Sequence, residues 1–173
     1  MTTIKIPMKL GAFAIGLCFL TTGFAHEPRD NVADGAYNIV VGYSAEPVYA
    51  GVANGMDLTI RNPDGSAADV QDIDLDITVL YLETDAMDSK VKASALLTGE
   101  LRRNRSTPNN FDIDFMATRA GAYGFIIKGM IDGNMIDEKF VCGGGSQNPE
   151  GRSFGCTGSL QKFPGGKKHR DDD

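Results

Sequence analysis

The run Asp72-Ile-Asp-Leu-Asp-Ile-Thr-Val-Leu-Tyr-Leu82 constrains this chain more than any other stretch. Ile73, Leu75, Ile77, Val79 and Tyr81 fall on one side of an extended backbone, and Asp72, Asp74, Asp76 and Thr78 on the other. A period of two over that length describes a half-buried strand and excludes an amphipathic helix. The same habit recurs along the chain. Ala36 to Tyr43 is rich in β-branched and aromatic residues, and Met56 to Arg61 alternates. Phe111 to Met116 alternates with Phe111, Ile113 and Phe115 inward. Gly121 to Ile131 and Met135 to Cys142 are two further extended runs.

Turn chemistry separates these runs. Asn62-Pro-Asp-Gly65 presets φ at proline and accepts positive φ at glycine. Asp132-Gly-Asn134 suits a tight hairpin. Residues 44–55 and 102–110 read as loops, 83–89 as an acidic turn, and 90–101 is compatible with a strand or a helical turn. Six or seven short strands and no long helical period predict one all-β domain over residues 36–163. The expected architecture is an antiparallel immunoglobulin-like β-sandwich of about seven strands.

Residues 1–25 have another character. Lys5 and Lys9 precede the apolar run Leu10 to Leu20, and Gly23 and Ala25 supply the small residues a signal peptidase reads. The expectation is a signal peptide over 1–25, a mature chain that begins at His26, and a periplasmic or secreted location. The run is short for a membrane span, so no transmembrane segment is expected in the mature chain. Residues 26–35 read as a polar N-terminal arm, and 164–173 as a charged tail without order. Losing Lys5 and Lys9 with the leader takes the net charge from −6 to −8. Such an acid excess argues against nucleic acid, which rewards cationic surface. Cys142 and Cys156 remain as a pair, and an oxidising compartment makes them a disulfide.

The stretch Ala120-Gly-Ala-Tyr-Gly-Phe-Ile-Ile-Lys-Gly129 resembles the late strand of immunoglobulin-like domains. There a tyrosine near the strand start bonds backbone upstream, a role that falls on Tyr123. Over residues 36–142 the chain also resembles a group of exported bacterial β-sandwich proteins. Val41-Gly-Tyr43, Glu46-Pro47, Gly51, Asn54-Gly55, Asp57-Leu58, Ile131-Asp-Gly133 and Asp137 to Phe140 carry that likeness. More loosely it is similar to the periplasmic copper-resistance β-sandwiches, whose mature chains also start with histidine. It departs from them in having only His26 and His169 after the leader, and no methionine-rich cluster.

Few residues suggest chemistry. A mature His26 would offer its α-amine and imidazole to Cu(II), a metal that takes N and O ligands in tetragonal geometry, with Glu27 or Asp30 as added oxygen donors. Asp72, Asp74, Asp76, Asp112 and Asp114 would form an acidic patch if their strands paired, with Arg102, Arg103 and Arg105 near enough in sequence to neutralise it. Such a patch could hold Ca²⁺ or dock a basic partner. Met116 and Met130 fall on outward phases. No Gly-x-Ser-x-Gly elbow is present, and no histidine within the domain could serve as a general base. The expectation is a non-enzymatic exported binding or accessory module, without a cofactor, for a protein or small ligand. A copper-handling protein using His26 is the alternative.

Overall fold

The computed structural model describes residues 26–143 and 153–159; the expected signal peptide, the charged tail and His169 lie outside them. Nine strands occur among the described residues: β1 (His26–Asn31), β2 (Tyr37–Tyr43), β3 (Ala53–Arg61), β4 (Ile73–Leu82), β5 (Val91–Leu96), β6 (Arg102–Arg103), β7 (Asn110–Met116), β8 (Tyr123–Ile131) and β9 (Asn134–Val141). They form a five-stranded sheet ordered β1-β2-β3-β7-β6 and a four-stranded sheet ordered β5-β4-β8-β9. Every pairing is antiparallel. Read in order, β2 to β9 take the places of strands A, B, C, C′, D, E, F and G. The sheets are then A-B-E-D and C′-C-F-G, the immunoglobulin arrangement, with β1 added outside A.

The period-two faces explain the packing. Ile39, Val41, Tyr43, Met56, Leu58, Ile60, Phe111 and Ile113 come from one sheet, and Ile77, Phe125, Ile127, Ile136 and Phe140 from the other. All are buried in one cluster. Tyr43 packs on Phe115, Phe125 and Phe154, with ring centroids 5.2–5.9 Å apart. Phe154 lies inside the loop closed by the Cys142–Cys156 disulfide, and the chain runs on from it through Cys156 to Gly158. The segment straps the end of the sandwich: Gly158 donates to Val48 O, Ala50 to Gly158 O, and Thr157 and Gly121 bond reciprocally. Tyr123 takes the corner role, its hydroxyl accepting the Arg119 N–H at 3.3 Å.

Turns behave as their residues dictate. Asp132 and Gly133 both have positive φ in the β8–β9 hairpin, the geometry Asp-Gly tolerates. The Asp132 carboxylate also accepts the backbone N–H groups of Gln71 and Asp72 at 2.9 and 2.7 Å. These bonds, the Asp72 N–H first, hold its carboxyl below the usual range. Gly65 closes the 62–65 turn by donating to Asn62 O.

Some local expectations change, and residues 102–103, expected within a loop, form β6 against β7. Residues 26–31 are no arm but an edge strand, because β1 pairs with β2 from His26↔Gly42 to Arg29↔Ile39. Residues 31–35 are a tight turn with Asn31, Ala33 and Asp34 at positive φ. Leu80 and Leu82 lie on the outer phase of β4 yet are buried, because Met87 and its loop cover them beside Val141. The 90–101 segment resolves into β5, exposed along its whole length.

One flank of the sandwich is clasped by β1. Glu27 faces inward and is 1% exposed. Its carboxylate accepts Arg29 Nη2 at 2.8 Å, and Arg29 reaches β9 by donating to Lys139 O at 3.0 Å and to Glu138 at 3.3 Å. The guanidinium also lies 5.0 Å over the Phe140 ring. Burial pushes the Glu27 carboxyl up, and the Arg29 bond opposes that. Arg29→Ala strands a buried carboxylate, a change that costs about 3 kcal/mol. Urea unfolding should show that loss at pH 7. The loss should shrink toward pH 4, because the folded variant keeps the Glu27 proton to higher pH than the unfolded chain does. An unfolding midpoint unchanged at pH 7 would refute the clasp.

Candidate functional site

The sequence-predicted residues separate into two places. Asp112 and Asp114 stand on β7 in the five-stranded sheet. Asp74 and Asp76 stand on β4 in the other sheet, with Asp72 just before it. β4 pairs with β5 and β8, and β7 with β3 and β6. The two sheets meet by their inner faces, so their aspartates point away from each other. The single acidic patch does not form. Arg102 neutralises the β7 pair instead: it bonds Asp114 through two contacts of 2.6 and 2.7 Å and also bonds Asp112. Its β6 register opposite Asp112 puts the guanidinium there. Asp114 is held below the ordinary carboxylate range by that guanidinium. Arg103 turns inward, over the Phe111 ring at 4.8 Å, and donates to Val70 O at 2.7 Å.

His26 sits at the head of a row that runs across the whole outer face of the five-stranded sheet. The register places His26, Gly42, Asp57, Asp112 and Arg102 side by side on successive strands. Strands lie about 4.8 Å apart, so His26 and Asp57 are two steps from one another. Gly42 has no side chain between them, and His26 Nε2 donates to Asp57 Oδ2 at 2.8 Å. The other Asp57 oxygen accepts the Asn110 amide. Among the described residues the second ring nitrogen, Nδ1, makes no hydrogen bond. The Asp57 bond raises the His26 pKa, and partial burial works against it. Glu27 points to the opposite face and is engaged by Arg29, so it does not join His26. No three His, Cys, Asp or Glu side chains converge in metal-binding geometry among the described residues.

The opposite flank from the Arg29 clasp holds a groove of about 320 Å³. Val79 and Tyr81 of β4 form one wall with Ala93 and Ala95 of β5; Phe115 of β7 and Arg119 form the other. Alanines at 93 and 95 leave space that larger side chains would fill. Tyr81 packs at a tilt on Tyr123 with centroids 5.3 Å apart and anchors its hydroxyl on Ala120 O at 3.2 Å. Both rings are thus held rigid. Met116, 52% exposed, stands at the rim. A second, shallower depression beyond Phe115 and Met116 is bordered by Ser44, Ala53 and Asn54. Composition gave no signal for this groove. Tyr81 and Phe115 read only as inward residues, and the gap between the sheets becomes visible only once β5 and β7 are known to be neighbours across it.

Searches against protein-family models, curated proteins and solved structures found no match for the chain. None of the described helices is long and apolar enough to cross a membrane.

The His26 bond makes a titration testable. In a form extended N-terminal to His26, the imidazole should titrate above its ordinary 6.5. Asp57→Asn should bring that midpoint down, because burial then acts with less opposition. A raised folded pKa stabilises at low pH. The contribution of this bond to stability is therefore complete below about pH 6.5 and fades as pH rises through the raised midpoint. NMR of the ring protons reads the shift; an Asp57→Asn titration that overlays the wild type would refute the pairing.

Proposed function

We propose that this protein is an exported, non-catalytic binding module of the periplasm or cell exterior, with the open-flank groove as its binding surface. The observation that carries this reading is the groove itself. It is an apolar recess walled by the fixed rings of Tyr81 and Phe115, with one cation, Arg119, at its mouth. Apolar concavities with a few placed polar groups are the common form of a ligand site. Export is the reading of residues 1–25, supported by their charge and hydropathy pattern.

Aryl and aliphatic carboxylates match the apolar walls and the arginine. A panel of such fragments should perturb the amide resonances of Tyr81, Ala93, Ala95, Phe115 and Arg119 together. Ala95→Arg should remove the effect by filling the recess. Perturbations scattered over the surface, or unchanged in the variant, would count against the groove.

A second reading is favoured by the His26–Asp57 bond. A metal-bound histidine commonly donates its other ring nitrogen to a carboxylate, which fixes the tautomer. Asp57 stands in that relation to His26, leaving Nδ1 available. Cleavage after Ala25 would place a free α-amine beside it. The α-amine and Nδ1 would then hold Cu(II) as a chelate, with the remaining positions left to water. Cu(II) titration of a chain beginning at His26 should give an affinity about 100-fold above that of a chain with one alanine added before it. Asp57→Asn should weaken the tighter site. Equal affinities for the two forms would reject it.

A further inference from the structure

We propose that the open flank receives an extended, acidic segment of another polypeptide, which pairs with the free edge of β5 and places alternate apolar side chains in the groove. The inference rests on the groove being the binding surface and goes on to name the class of ligand.

Two free strand edges border the same recess. β5 ends its sheet, and all six of its residues are exposed. Half of its backbone N–H and C=O groups therefore lack a strand partner. On the other side, β6 pairs only with Asp112 and Phe111 of β7. Among the described residues Ile113 to Met116 have no strand beyond them on that edge, where only the 97–101 connector passes Ile113, although β3 pairs with the whole of β7 on the other side. Folded proteins usually protect an edge with proline, bulges, several charges or a covering segment. β5 reads Val-Lys-Ala-Ser-Ala-Leu, with one lysine and no proline. Its register against β4 is continuous from Leu96 to Ala93, with an irregularity only at the Val91 end.

The side chains match an alternating ligand. Ala93 and Ala95, two apart, open into the groove beside Val79 and Tyr81. A strand laid along β5 would send every second side chain to the same side. Val91 and Leu96, 44% and 53% exposed, stand at the two ends of the edge.

Charge decides between occupants. The sequence carries a net charge of −6, yet Arg119 lines the groove, and Lys90 and Lys92 stand at the start of the β5 edge. Among the described residues the Arg119 guanidinium has no ion pair, and Lys92 has only a 3.8 Å contact with Glu83. A second copy meeting this edge with its own would bring the same cations against these and be repelled locally. An acidic strand meets the cations and completes the backbone pairing.

The test is to pan a displayed library of random ten-residue peptides on the protein, with counter-selection on Ala95→Arg. Position 95 is exposed, and thermal melting confirms that the variant is folded. Enriched peptides should alternate apolar and polar residues, carry acidic side chains and lack proline. Synthesised, the best of them should bind the wild type about tenfold more tightly than the variant. N-methylation of its alternate backbone amides should cost a similar factor, because it removes edge hydrogen bonds and keeps the side chains. Binding that ignores methylation overturns strand pairing and leaves the groove reading in place. No enrichment over the variant, with carboxylate fragments still mapping to the groove, overturns this proposal alone; failure of both removes the groove reading too. A dimer in sedimentation that Ser94→Pro dissolves would make a second copy the occupant and overturn the proposal. Binding that appears only after removal of residues 160–173 would do the same in favour of that segment.

Discussion

The Glu27 carboxylate is costly to bury, and the Arg29 guanidinium over it is what makes that burial tolerable. The pair stands where β1 of one sheet meets β9 of the other. Because Arg29 reaches the Lys139 carbonyl and Glu138 as well as Glu27, one side chain ties the outer strands of both sheets together. The sandwich is thereby shut on that flank. Among the described residues no ion pair joins β5 to β7; the 97–101 connector crosses there with Gly99 beside Ile113, and the two-residue β6 is too short to screen the far half of β7. An open flank opposite a clasped one is a direct consequence of where the chain spends its charged side chains. The groove follows from it.

The aromatic cluster works along the other axis of the molecule. Tyr43, Phe115 and Phe125 bridge the sheets, and Phe154 enters from the loop that the disulfide closes. Phe115 belongs to this cluster and to the groove wall at once. The ring that lines the recess is therefore held from behind by Tyr43 and Phe125, which Phe154 backs in turn, and the recess does not depend on a mobile side chain for its shape. Tyr81 has the same double employment: its hydroxyl is fixed on Ala120 O while its ring walls the groove.

Much of the fold was legible because alternation reports burial directly. The 73–81 face, the Phe111-Ile113-Phe115 face, the 62–65 and 132–134 turns and the tyrosine corner all stand where side-chain period and turn chemistry place them. The disulfide pairs the cysteines that the count paired. What stayed illegible depended on neighbours rather than on period. His-Glu-Pro-Arg-Asp-Asn has no apolar alternation, since its inward residues are Glu27 and Arg29. A strand whose buried face is an ion pair looks like a loop in sequence. Leu80 and Leu82 are buried on the outer phase of β4 because the turn that follows the strand brings Met87 back over them, and strand period alone carries no sign of that cover. The five aspartates form one group in sequence only on the condition that their strands pair, because period gives the phase of each strand but not the sheet to which it belongs.

The site shows the same division. His26 could be singled out from its position after the leader, and Asp57 could be placed on the outward phase of its strand. Their meeting required three further facts: that β1 is a strand, that β2 lies between β1 and β3, and that Gly42 occupies the shared row. Any larger residue at 42 would have put a side chain on the line between the imidazole and the carboxylate. That row also separates the two functional readings physically. The imidazole lies on the outer face of the five-stranded sheet, whereas the groove opens at the flank between the sheets. The metal site proposed at His26 and the strand pairing proposed at β5 draw on no common side chain, so either can be removed by substitution without disturbing the other.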